Sequence, residues 1–224
     1  PKHQPQQFTL EVGTNTNNVD KEDGADGDWK SVYGSVYGLA KVGEWTIKPA
    51  VGVSSTKYKT TRSITEFNYN NNLKNDGKSY WADLQLLAPS IEEMTPYIGV
   101  TLRHYKIDGG TESGSAETAV TWNEVTKTQI NPYIGARLDS KPEPKGVFYS
   151  VDGRVTKLEK VKMQGSVGGS DVGVESNIGN ALLTADAKLG YKFNDRGNVW
   201  ISGLFQKASN YDNSVIGVGA KIDF

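Results

Sequence analysis

Histidine occurs twice, at His3 and His104, and cysteine not at all. Thiolate chemistry and a disulfide framework are therefore excluded, and a histidine-built metal centre is not supported. An acid placed beside His104 could activate a water, but position 102 is Leu102, and Asp108 falls in the following loop. A serine could become a nucleophile against the same imidazole, yet the neighbours are Tyr105 and Lys106. The acids Asp20, Glu22, Asp23, Asp26 and Asp28 could gather a divalent cation, although a solvated acidic loop is the plainer expectation. No phosphate-binding loop or nucleophile elbow occurs, so neither enzymatic activity nor a cofactor is expected.

The charges that do repeat lie at every second position, between apolar neighbours. In LLTADAKLGYKF, Leu183, Ala185, Ala187, Leu189, Tyr191 and Phe193 share one face, opposite Asp186, Lys188 and Lys192. Similar alternation places Glu11, Lys48, Asp83, Arg103, Arg137, Asp139, Asp152, Arg154, Lys221 and Asp223 on polar faces. Acids and bases nearly balance in this set. In a soluble sheet these faces would meet water. In a membrane barrel they would line a narrow interior, where a charge is costly unless paired. The expected chemistry is a lumen charge network rather than a reaction.

The elements that must carry these residues follow from the period of two. Ten stretches show it: 8–16, 28–41, 44–57, 78–90, 95–107, 127–139, 146–158, 182–193, 197–208 and 213–224. Their length matches the roughly 9–11 residues of a tilted membrane strand. No amphipathic helix is evident, and no run approaches the roughly 18 apolar residues of a spanning helix. In 31–40 either the valines or Tyr33, Tyr37 and Leu39 could face outward. Pro96 and Pro132 begin the similar segments TPYIGVTLR and NPYIGARL, which are expected to rise from the same rim, each proline near a strand start.

The connections alternate in length. Long polar segments at 14–28, 58–77, 108–126 and 159–181 alternate with short ones at 41–44, 90–94, 140–145 and 194–197. That alternation predicts an up-and-down antiparallel barrel with short periplasmic turns and long outer loops. Ten strands are expected, or twelve if 108–126 and 159–181 each hide another. Trp45 and Trp200 near the short-turn rim, and Trp29 and Tyr80 near the other, are candidates for interfacial girdles. A single barrel domain over 8–224 would follow a periplasmic tail at 1–7 (PKHQPQQ).

The chain ends in SVIGVGAKIDF, with Ile216, Val218, Ala220, Ile222 and Phe224 on one face. This strand resembles the closing segment of Gram-negative outer-membrane proteins. The resemblance implies that these five residues are the signal read by the barrel-assembly machinery. The last three strands also resemble the ends of opacity-type and autotransporter-type barrels. Autotransporter translocators would bring about twelve strands and a helix through the pore. Omptin proteases and Opc-type adhesins are ten-stranded relatives in architecture, but the acid–histidine set of an omptin is missing around His104.

With long basic side chains inside so small a barrel, a mostly plugged lumen is expected. Function then falls to the outer loops, which would bind a host glycan or a partner protein as an adhesin does. Export of a passenger and conduction of small solutes are the alternatives. The other expected partners are outer-membrane lipid and lipopolysaccharide, whose phosphates would suit Lys57, Lys59, Lys157, Lys160 and Lys162. A net charge of −1 gives no reason to expect nucleic acid.

Overall fold

The structure is a computed structural model describing residues 7–22, 25–64, 69–140, 144–175, 179–194, 197–209 and 211–222. Residues 1–6, Asp23, Asp223 and Phe224 lie outside the described residues. So do the side chains of Glu11, Asp20, Glu22, Asp26, Lys221 and Ile222.

Ten long strands form one antiparallel sheet. They are β1 (Gln7–Glu22), β2 (Ala25–Val42), β3 (Trp45–Ile64), β4 (Tyr69–Leu87), β5 (Met94–Ile107), β8 (Val125–Asp139), β9 (Gly146–Lys157), β12 (Ala181–Asn194), β13 (Gly197–Ala208) and β14 (Tyr211–Ile222). They pair in chain order, each with the next, as the alternation of short and long connections predicts. The sheet curls into a half-barrel whose edges are β1 and β14, and no pairing joins those edges among the described residues.

Burial is inverted relative to a soluble protein. Only Leu73, Tyr97, Val120 and Tyr133 are buried apolar residues among those described. Val218 is 86% exposed, Ile216 80% and Leu10 72%, and they continue the outward row of Val51, Leu84, Ile98, Ile134 and Leu189. A soluble sheet would cover that row, because each buried aliphatic side chain contributes about 1.5–3 kcal/mol. Here hydrocarbon takes the place of a core. In β2 the valines Val32 and Val36 face outward, and Tyr33 and Tyr37 face in.

Several expectations are corrected. Residues 14–22, 25–28, 58–64 and 69–77, expected in loops, are strand. The β1–β2 ladder continues to Glu22↔Ala25, and the β3–β4 ladder to Ile64↔Tyr69. Both faces are polar there, so no apolar alternation marks the strands, yet cross-strand pairing still satisfies the backbone. The two PYIG segments do not rise from one rim. They lie on neighbouring antiparallel strands and cross at Ile98↔Ile134. Pro132 sits in mid-strand rather than at a start, just outside the β8–β9 ladder, which begins at Tyr133.

Four short strands occupy the two longest outer segments: β6 (Gly110–Thr111), β7 (Thr121–Trp122), β10 (Lys162–Val167) and β11 (Ser170–Glu175). They form a separate sheet in the order β11-β10-β7-β6, so they cap the barrel and add no strand to it. The β10–β11 hairpin turns on Gly168 and Gly169, with φ of 55° and 82°. Positive φ at both central residues is what a tight two-residue hairpin turn demands.

Candidate functional site

The inward face is built by the residues between the lipid-facing ones. Its centre is the crossing of β5 and β8. The register sets Tyr97 opposite Gly135 and Gly99 opposite Tyr133. A Cβ on Gly135 would overlap the Tyr97 ring, and one on Gly99 would overlap the Tyr133 ring. Each tyrosine therefore lies across a glycine of the neighbouring strand, and the two rings meet edge to face at 6.1 Å. Beyond its glycine each hydroxyl reaches an acid one strand further on. Tyr97 donates to Asp152 on β9 at 2.5 Å, and Tyr133 donates to Asp83 on β4 at 2.7 Å. Thr101 donates to the other Asp83 oxygen at 2.5 Å. The pairs staple four consecutive strands, β4 to β9, across the lumen wall.

The bases are held largely by rings. Arg154 lies over Tyr133 at 5.2 Å, Lys48 over Tyr37 at 4.7 Å and Lys188 over Trp200 at 4.9 Å. Such contacts stabilise a cation by about 0.5–1 kcal/mol where water reaches it. Arg137 pairs with Asp139 at 2.8 Å. Asp186 stands opposite Asp152, and Arg103 stands opposite Trp81 and Gln129. Lys192 shares the inward face of β12 and is partnered. The sequence pattern thus places Lys48, Asp83, Arg103, Arg137, Asp139, Asp152, Arg154, Asp186, Lys188 and Lys192 on one face. It misses the tyrosines and Thr101 that hold the acids. The repeated Tyr-x-Gly spacing was the available signal, since in antiparallel register each tyrosine finds the other segment's glycine.

One cavity of about 950 Å³ touches side chains of eight strands, from Tyr37 on β2 to Leu204 on β13. Most of its lining is hydroxyls, carboxylates and bases, with Leu39, Leu87, Ala88, Pro89 and Leu204 among them. The chain between β9 and β10 is tied to β8. Gln129 and Lys127 donate to the carbonyls of Glu159 and Lys160, at 3.1 and 2.5 Å.

The cap seats on the β3–β4 hairpin through the asparagine run. Asn71, only 1% exposed, donates to Thr118 and accepts from the Ser115 amide, while Asn72 and Ser113 exchange backbone hydrogen bonds. Glu112 is the buried hinge pin. Its Oε2 accepts from Arg62 Nη2 at 2.6 Å and Val120 N at 3.1 Å, and its Oε1 accepts from Trp122 Nε1 at 3.2 Å and Arg62 Nε at 3.3 Å. Burial works to raise the Glu112 carboxyl. The hydrogen bonds from Arg62, Val120 and Trp122, with the Arg62 charge, outweigh it and hold the carboxyl below its ordinary range.

Two expected girdle residues face the other way. Trp200 lies inward between the outward Val199 and Ile201, and Trp29 shares the inward face with Tyr33. Trp45 and Tyr80 do face outward, 45% and 54% exposed. His104 is also outward, its Nδ1 bonded to Thr128 Oγ1 at 2.9 Å, and its cross-strand neighbours are Tyr80 and Thr128, neither an acid. Among the described residues no group of acids or histidines could hold a metal ion. Of the five closing-strand residues expected to be read as an assembly signal, Ile216, Val218 and Ala220 have described side chains, and all three are exposed on the lipid side.

Known proteins resemble this arrangement. A family model described as an autotransporter beta-domain matches residues 10–203. The solved translocator domain of the autotransporter NalP from Neisseria meningitidis has a similar fold, with a TM-score of 0.77 and 16% identity over 100% of this chain and 76% of that one. The beta domain of the Bordetella autotransporter BrkA is similar as well, with a TM-score of 0.52 and 9% identity over 98% of this chain and 95% of that one. No curated protein matches in sequence. The family match favours passenger export over the adhesin-like role that the outer loops suggest.

Proposed function

The chain belongs to the autotransporter beta-domain family of the bacterial outer membrane, and from that premise we propose that it is a translocator that conducts an unfolded passenger polypeptide to the cell surface. The observation that carries this reading is the largely polar inward face around one cavity of about 950 Å³. An extended polypeptide crossing a membrane needs partners for its amides and for side chains of either charge. The Tyr97–Asp152 and Tyr133–Asp83 staples hold polar groups at fixed positions, and Lys48, Arg154 and Lys188 rest on rings rather than in tight ion pairs. Weakly held charges exchange partners readily as a chain slides past. No bond is made or broken, so the role asks for no catalytic residue.

The test is secretion of a passenger joined to this β-domain in an outer membrane. Protease added to intact cells should remove the passenger when the wild-type domain carries it. A bulky inward substitution, Thr184→Trp, should trap it, while the outward Leu183→Trp should not. Equal secretion by both variants would end the proposal. A second reading rests on the cap, whose Glu112 network makes a rigid outer platform. If that platform binds a glycan or protein ligand, cells displaying the domain without a passenger should adhere, and deletion of 162–175 should abolish adhesion.

A further inference from the structure

Above the lipid-facing belt, the outward faces of β2, β3 and β4 carry bases set directly against bases. The register pairs Lys30 with Lys57 and Lys59 with Lys74. Val53 and Tyr80 mark the top of the apolar belt on the same face, and Lys78 follows two residues beyond Tyr80. Like charges directly opposite destabilise a sheet, yet none of these five lysines has an ion-pair partner among the described residues. The acids nearby are Asp28, which stands opposite Lys59 and is itself partnered, Asp76, which stands opposite Lys57, Asp108 and Glu124. Lys106, opposite Lys78, is bonded to Glu124 at 2.6 Å. A hollow of about 680 Å³ opens among Lys30, Lys57, Lys59 and Lys74, with Asp28, Asp76 and Asp108 also in its wall.

We propose that this hollow binds the phosphorylated saccharide headgroup of an outer-leaflet lipid, of the lipopolysaccharide kind, with a phosphate bridging each opposed lysine pair. Height decides between lipid classes. Six residues separate Tyr80 from Lys74, which at about 3.3 Å per residue and a tilt near 40° sets Lys74 roughly 15 Å above the belt. An ordinary phospholipid headgroup zone is only about 5–7 Å deep. Lys78 lies within it, but the Lys59–Lys74 pair stands beyond it, where only a lipid with a tall, phosphate-bearing headgroup supplies anions.

The experiment titrates the folded full chain, in zwitterionic detergent, with phosphorylated lipopolysaccharide, dephosphorylated lipopolysaccharide, phosphatidylglycerol and inorganic phosphate. Phosphorylated lipopolysaccharide should bind at least tenfold tighter than its dephosphorylated form. K30Q/K57Q and K59Q/K74Q should each weaken binding roughly thirtyfold, about fivefold per surface lysine. K59R/K74R should bind like wild type. K145Q/K207Q, which removes the same charge from exposed positions away from the hollow, should change affinity less than twofold. Without ligand, K59Q/K74Q should melt higher than wild type, because repulsion is removed. An equal loss in K145Q/K207Q would assign the effect to bulk charge and overturn the site. Phosphatidylglycerol binding as tightly as phosphorylated lipopolysaccharide would identify a phospholipid as the occupant, and full displacement by millimolar phosphate would identify free anion. Either result overturns the proposal.

Discussion

Replacing Glu112 should release the outer cap while leaving the barrel intact. Both Glu112 oxygens accept two N–H bonds, so truncation to alanine strands four donors. The Val120 amide is the costliest, because Val120 is 6% exposed and an unmet buried donor costs about 1–3 kcal/mol. The indole of Trp122 is half-buried and adds about 1 kcal/mol. Arg62 is 32% exposed, so water recovers most of its loss and its contribution is at most about 1 kcal/mol. Opening of the cap should become easier by about 2–5 kcal/mol, or roughly 30- to 5000-fold in equilibrium. Glu112→Gln should be nearly as damaging, since whichever way the amide is turned its NH₂ meets two donors. Limited proteolysis of 108–124 and 158–180 measures the opening, and heat-modifiable gel mobility reports the barrel. The pH dependence follows in sign. A carboxyl held below its ordinary value of 4.5 lends stability that is complete above that value and is lost as pH falls through the depressed one. The cap should stay closed from pH 7 to 5 and loosen only below about 4.5. Unchanged proteolysis in Glu112→Ala, or loosening already at pH 6, would refute the reasoning.

Three further outcomes are expected. Gly99→Val should lower the temperature at which heat-modifiable mobility is lost, by an overpacking cost of about 1–3 kcal/mol against the Tyr133 ring, and Gly99→Val with Tyr133→Ala should recover part of it. Asp83→Asn should destabilise the barrel by about 1–3 kcal/mol, because the Tyr133 and Thr101 hydroxyls lose a charged acceptor, as the same gel assay would register. Tryptophan at the outward position 218 should be quenched by brominated lipid, whereas Trp200 should not be, since it faces Lys188 in the lumen.

The ten barrel strands were legible because their two faces meet different solvents. Leu183 to Phe193 alternate as a lipid wall requires, and the alternation stops where hydrocarbon stops. Beyond the belt that contrast disappears. At 59–63 polar side chains occupy both faces, so that stretch of β3 carries no periodic mark. The cap was hidden for another reason: its buried residues, Leu73, Asn71, Glu112 and Val120, come from segments far apart in sequence. Its hairpin could have been found from Gly168-Gly169 between two short alternating runs. Charges were assigned to the lumen by parity, but parity does not name partners. It could not show that Asp83 and Asp152 are held by tyrosines lying across glycines. Trp200 was misplaced because Val199 and Ile201, its neighbours, were the apolar pair that faced out.

The absence of native cysteine allows the passage itself to be mapped with single cysteines introduced one at a time. A passenger stalled by a disulfide-closed loop, and carrying a thiol-reactive photo-crosslinker, should join to cysteine at the inward positions 101, 150 and 184. It should not join at the outward neighbours 102, 151 and 183. Crosslinks to the outward set, or to neither set while the stalled passenger spans the membrane, would contradict transport along this polar face.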